Sequence, residues 1–171
     1  MTYIVVDVES DGPAPGKYSM VSFGAVVVEP SLGRTFFGEM RPISDYWIPE
    51  ALAVSGYTRE QTLAFSPPQE VMSSFVLWIR NVTAQGTEPI FVSDNNGYDF
   101  GFINYYLWHF VNENPFGHSS RNISDLYRGM KKDVHSSFRG LVTIPHTHDP
   151  VQDARGHAEA LLKMQHMGLK L

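Results

Sequence analysis

The stretch Tyr3-Ile4-Val5-Val6-Asp7-Val8-Glu9 decides how this chain is read. Its apolar, mostly β-branched residues run almost without a break, the pattern of a strand covered on both faces. Asp7 and Glu9 interrupt it. Charged side chains on a covered strand are unfavourable unless something pairs with them. Side chains alternate along a strand, so these two point the same way, with Cα atoms about 6.5–7 Å apart. Two carboxylates converging from one buried strand read as half of a divalent-cation site. The rest of the chain must supply the other half.

Outward from that strand (residues 2–9), Asp11 to Gly16 reads as a turn. Residues 19–29 and about 33–40 read as two further strands joined by Glu29-Pro30-Ser31-Leu32-Gly33, giving a three-stranded antiparallel meander. Short helical pieces follow at 49–55 and 58–64. Pro67 opens a helix to about Ala84, with Val71, Phe75, Trp78, Ile79 and Val82 at helical spacing on one face. Pro89 to Ser93 is a short strand, 94–97 a turn, and Tyr98 to about Val111 a second helix. Residues 123–131 read as a strand end leading into a short helix, and 132–147 as loop. A last helix runs from Pro150 to about Met167, packing through Ala154, Ala158, Leu161 and Leu162. Strands first, then strands alternating with helices, imply an α/β sheet with helices on both faces, in one domain spanning 1–171.

Composition narrows the function classes. At 43% hydrophobic and 18% charged, the 171 residues are those of a globular protein, not a disordered one. The absence of cysteine excludes disulfides, thiolate metal sites and cysteine nucleophiles. No apolar stretch approaches the roughly 20 residues of a membrane span. The N-terminus enters a strand at once, so no signal peptide and no membrane partner are expected, and a cytoplasmic location is. The net charge of −5 is uneven: residues 1–120 hold 5 basic and 13 acidic side chains, residues 121–171 hold 8 and 5. Two bound Mg²⁺ would bring the total to about −1. Arg121, Arg128, Lys131, Lys132 and Arg139 fall in one short stretch and read either as a phosphate-facing patch or as a solvated one.

The missing carboxylates are found at two helix starts. Asp99 follows the fourth strand and its turn, where open α/β sheets build ligand sites; its alternative role is to favour the helix dipole. His148 and Asp153 are five residues apart, which does not put them on one regular helical stripe. Asp149 suits an N-cap, Pro150 the first helical position, and Gln152 completes a capping-box pattern, so the helix starts after His148. Asp153 then lies in a rigid first turn and His148 on the loop before it. Mg²⁺ and Mn²⁺ prefer such oxygen ligands, and two of them can drive phosphodiester hydrolysis. A histidine titrating near neutrality can take the proton from the attacking water.

The order Asp-x-Glu, Asp, His-x4-Asp resembles the DEDDh 3′–5′ exonucleases of the DnaQ-like group. Ile4 to Gly12 resembles the first motif of that family, Asn95-Asn96-Gly97-Tyr98-Asp99 followed by Phe102-Ile103 its second, and His148 to Ala154 its third. Ile48-Pro49-Glu50-Ala51 and Gly56-Tyr57-Thr58 look like the segment between the first two. The resemblance spans essentially the whole chain. It implies a ribonuclease H-like fold, with a central mixed five-stranded sheet flanked by helices. It implies Asp7, Glu9, Asp99 and Asp153 as ligands to two divalent cations, Mg²⁺ or Mn²⁺, and His148 as general base. Ser10, Asn95 and Tyr57 are the candidates for touching substrate.

The activity implied is 3′–5′ exonucleolytic release of nucleoside 5′-monophosphates from single-stranded RNA or DNA ends, with RNA slightly favoured. The chain departs from the family at Ser55 and Asp94, where many members have His, and at Asp11, a frequent Thr. His146 does not fit the family spacing and reads as a loop residue; His157 reads as an ordinary helix residue. The alternative is a non-catalytic nucleic-acid-binding or adaptor relative, which predicts a lost ligand or a function that survives Asp7→Ala. A homodimer is left open.

Overall fold

A computed structural model describes residues 1–171. Five strands form one mixed sheet in the order β3-β2-β1-β4-β5. They are β1 (Thr2–Ser10), β2 (Met20–Val27), β3 (Thr35–Glu39), β4 (Pro89–Ser93) and β5 (Ser120–Asn122). The first three form the expected antiparallel meander, and β4 and β5 join parallel to β1. β1 is therefore central, and its residues Ile4, Val5 and Val6 are wholly buried.

Two cores account for this. On one face Ile4, Val6, Val8 and Phe23 pack against Phe75 of α3 (Pro68–Val82) and Phe102 of α4 (Asn96–Tyr106). On the other, Val5, Val26 and Val92 pack against Ala154, Ala158 and Leu161 of α6 (Pro150–His166) and Ile123 of α5 (Ile123–Lys131). Alternation along β1 places Asp7 and Glu9 on the α6 face, continuing the row begun by Tyr3 and Val5. The meander leads through α1 (Pro49–Val54) and α2 (Arg59–Leu63) into α3.

Three expectations shift in detail. The fifth strand occupies 120–122, and 123–131 is wholly helix. The second helix is α-helical only to Tyr106; Leu107–Val111 widen into a π turn that stops at left-handed Asn112. The loop at 132–147 contains a short 3₁₀ turn, Phe138–Leu141, anchored by buried Phe138. No helix is long and apolar enough to cross a membrane.

Candidate active site

Asp7 sits directly opposite Gly24 of β2. A Cβ on Gly24 would overlap the backbone of Pro150 and Val151. The missing side chain lets the start of α6 lie flush on the sheet, and this delivers Asp153 to Asp7. One carboxylate oxygen each from Asp7, Glu9 and Asp153 lies within 4.8 Å of the others. A register shift follows Glu9, and the chain turns away there.

Asp99 approaches from the first turn of α4. Its Oδ1 accepts the N–H of Val8, between the two acidic residues of β1, at 3.2 Å, and its Oδ2 accepts that of Asn95 at 3.3 Å. Asp153 is held by the loop that precedes it: the N–H of Thr147 donates to Oδ1 and that of His148 to Oδ2, both at 2.9 Å. His148 takes a left-handed backbone, φ 60°, uncommon for a residue other than glycine. Asp149 then caps α6 by accepting the N–H groups of Val151 and Gln152. Gln152 makes no return bond, so the cap is one-sided.

The turn at His148 has a second result. It folds the loop back so that His146 Nδ1 lies 2.9 Å from Asp153 Oδ2, with the His146 and His148 rings 4.4 Å apart. His146 is thus part of the site and not a plain loop residue. Family spacing hides it, and the alternating pattern His146-Thr147-His148 is the signal that would have found it. His148 Nδ1 stands 3.6 Å from Glu9 Oε1. A cleft of about 390 Å³ opens here, lined by Asp7, Asp99, Asn95, Arg139, His146 and His157 among others. His157 lies one helical turn beyond Asp153, its Nδ1 buried without a partner. Burial pushes its imidazole down, against the charges of Asp94 and Asp153.

No Lys or Arg pairs with any of the four carboxylates; only His146 and His148 come close. Burial pushes Asp7 well above the usual carboxylate range, and the charges of Asp99, Glu9, Asp153 and Asp94 push it further. Burial, then Asp153, raises Glu9 to about 7, while His146 pulls it down. Burial likewise raises Asp99 to about 7, against hydrogen bonds from Ser93, Asn95 and Val8. Three carboxylates that resist ionising together, Asp7, Glu9 and Asp99, beside a fourth and with no Lys or Arg among them, have the donor chemistry of a hard divalent-cation site.

The other candidates are spread around it. The Oγ of Ser10 is 2.5 Å from Tyr98 Oη and 2.6 Å from the Gly12 carbonyl, so its hydroxyl is already engaged. Asn95 is exposed at the cleft with a free side chain. Tyr57 donates to Glu39 at 3.2 Å and packs on Phe65. The basic stretch does not form one surface. Arg139 reaches the cleft, 3.9 Å from Asp94, whereas Arg128 pairs with Asp125 on α5 and Arg121 lines a separate hollow with Glu88. At the departures from the family, Asp94 accepts from Ser124, Ser55 closes α1 on the Leu52 carbonyl, and Asp11 pairs with Arg59.

No profile of a known protein family matches the chain. The chain is 38% identical over 169 residues to the 3′–5′ DNA exonuclease Cap18 of Escherichia coli, covering 92% of this chain and 88% of that one. The nuclease domain of 3′hExo, a DEDDh family member bound to rAMP, superposes with a TM-score of 0.79 at 15% identity, covering 99% of this chain and 94% of that one. E. coli Exonuclease I in complex with a dA16 oligonucleotide gives 0.69 at 16% identity, over 95% of this chain and 41% of that longer one. The mixed sheet is that of a ribonuclease H-like fold, and the chain belongs to the DEDDh 3′–5′ exonucleases of the DnaQ-like superfamily.

Proposed function

We propose that this nuclease removes nucleotides from the 3′ end of single-stranded DNA. Asp7, Glu9, Asp99 and Asp153 hold two divalent cations, Mg²⁺ or Mn²⁺, and His148 is the general base. The observation that carries this reading is the meeting of four carboxylates from three elements with no Lys or Arg among them. Ions bound there supply electrophilic stabilisation of the phosphate and a more acidic water.

The chain's own residues do the rest. The backbone of Thr147 and His148 fixes Asp153 and, through the same peptide groups, the loop that carries the base. Glu9 Oε1 stands 3.6 Å from His148 Nδ1, and Nε2 is the nitrogen given the proton-accepting role. Nε2 takes a proton from water as the water oxygen bonds to phosphorus. The bond from phosphorus to the 3′ oxygen breaks, and that oxygen leaves with its electron pair and is protonated by solvent. The products are a nucleoside 5′-monophosphate and a chain one nucleotide shorter. Asn95 and Tyr57 touch the terminal nucleotide, and Ser10 acts on it through Tyr98 and the turn at Gly12.

The family resemblance by itself tilts slightly to RNA. The similarity to an E. coli DNA exonuclease moves the proposal to DNA. Discrimination rests on contacts to the 2′ carbon, where only RNA has a hydroxyl.

The test uses 5′-labelled DNA and RNA of one sequence, with Mg²⁺ or Mn²⁺ or with EDTA, beside His148→Ala. A ladder shortening from the 3′ end, faster on DNA and absent with EDTA, is expected. His148→Ala should slow it by about 10²–10⁴-fold. Cleavage of neither polymer, or an unchanged His148→Ala rate, would overturn the reading.

A further inference from the structure

His146 is the residue that the two-cation reading leaves unused. One ligand atom each from His146, His148 and Asp153 lies within 4.8 Å of the others. Glu9 Oε1 stands 3.6 Å from His148 Nδ1 and flanks this trio. Two imidazoles and one carboxylate are not a magnesium set, since Mg²⁺ keeps oxygen ligands. They are the N/O set that Zn²⁺ takes in four-coordinate sites, with bonds of about 2.0–2.2 Å and hence donors about 3.4 Å apart. Both histidines are about half exposed on one loop, with side-chain exposures of 56% and 48%, so small rotations bring them to that spacing. Asp153 is nearly buried and already oriented by two backbone N–H groups, the outer support that metal-binding carboxylates require.

We propose that His146, His148 and Asp153, with water in the fourth position, form a zinc site that turns the nuclease off. This rests in part on the function proposed above. Zinc on the imidazole of His148 stops it from accepting a proton. Zinc on Asp153 withdraws one of the four carboxylates from the catalytic cations. Divalent-metal affinity at N/O sites places Zn²⁺ well above Mn²⁺. Zinc therefore inhibits at concentrations far below those of the magnesium that supports hydrolysis. His146 is the residue that gives the site this preference, because without it a single imidazole remains.

The test is direct binding first. ZnCl₂ is titrated into the metal-free protein by calorimetry, and CoCl₂ is followed by the visible absorption of a four-coordinate nitrogen–oxygen site. Wild type should bind one such ion, and His146→Gln should bind it at least about tenfold more weakly and lose the absorption. Asp7→Asn, outside the set, should keep zinc binding while losing hydrolysis. A failure of the nuclease reading thus stays distinct from a failure of this one. In the magnesium-supported reaction, half-inhibition by ZnCl₂, measured against each variant's own zinc-free rate, should rise at least about tenfold in His146→Gln. Equal zinc affinity or equal inhibition in wild type and His146→Gln would overturn the proposal.

Discussion

Asp7 and Asp11 lie four residues apart, and both carboxylates are withdrawn from water, yet their surroundings are opposite. Asp11 is fully buried and carries its own cation: Arg59 Nη1 reaches Oδ2 at 2.8 Å while the Ser19 N–H donates to Oδ1 at 2.5 Å. Arg59 also donates to the Ser44 carbonyl at 2.6 Å, tying the 41–59 segment to the end of β1. Burial raises Asp11, and these partners pull against it. Asp7 has Glu9 and Asp153 beside it, feels the charges of Asp99 and Asp94 as well, and has no basic residue. The contrast separates structure from function. A buried acid matched by an internal arginine closes a fold, whereas buried acids matched by nothing await a cation from outside.

Removing one member from each group should break different properties. Asp7→Asn should reduce hydrolysis by about 10³–10⁴-fold, several kcal/mol of lost transition-state stabilisation. Its melting temperature in EDTA should not fall, because a repulsive charge has gone. Arg59→Met should do the reverse, lowering stability by about 3–5 kcal/mol, since it strands a buried carboxylate. A denaturant titration measures this, and little loss there would mean that Asp11 and Arg59 are not a structural pair.

Gly24→Ala sharpens the contrast from the side of packing. The new methyl meets backbone and not a flexible side chain, so α6 must lift. A loss of about 1–3 kcal/mol is expected, with a further loss of metal affinity as Asp153 moves from Asp7. Unchanged affinity by calorimetry would count against Gly24 as the residue that seats the site.

The last test is a pH trend. Glu9 and Asp99 rise from ordinary values of 4.5 and 3.8 to about 7 in the fold. Between about pH 4 and 7 the folded protein therefore holds more protons than the unfolded chain, and stability falls as pH rises. In EDTA the protein should melt higher at pH 5 than at pH 7.5, and excess Mg²⁺ should remove the trend. Asp99→Asn should flatten it.

Much of this was legible in the chain because it is local. Asp7 and Glu9 stand out against their own strand, and Asp149-Pro150 marks the start of α6. What stayed hidden depends on distant partners or on backbone torsion. The role of Gly24 requires knowing that β2 pairs with β1 in that register and that α6 crosses there. The pairing of Asp11 with Arg59 spans 48 residues. His146 reaches Asp153 because the loop turns at left-handed His148, a conformation no pattern of hydrophobicity records. Strand β5 has three residues, too few for a periodic signal.

The two backbone bonds from Thr147 and His148 to Asp153 carry a thermodynamic obligation. On the function proposed above, one loop both orients a metal-binding carboxylate and carries the base, so whatever steadies that loop must tighten cation binding, and cations must steady the loop by the same factor. A nucleic-acid 3′ end that engages His148 is then an agonist of metal loading. The dissociation constant for Mg²⁺ measured with a non-hydrolysable oligonucleotide present should be lower than without it, in the same ratio by which Mg²⁺ improves the grip on the oligonucleotide.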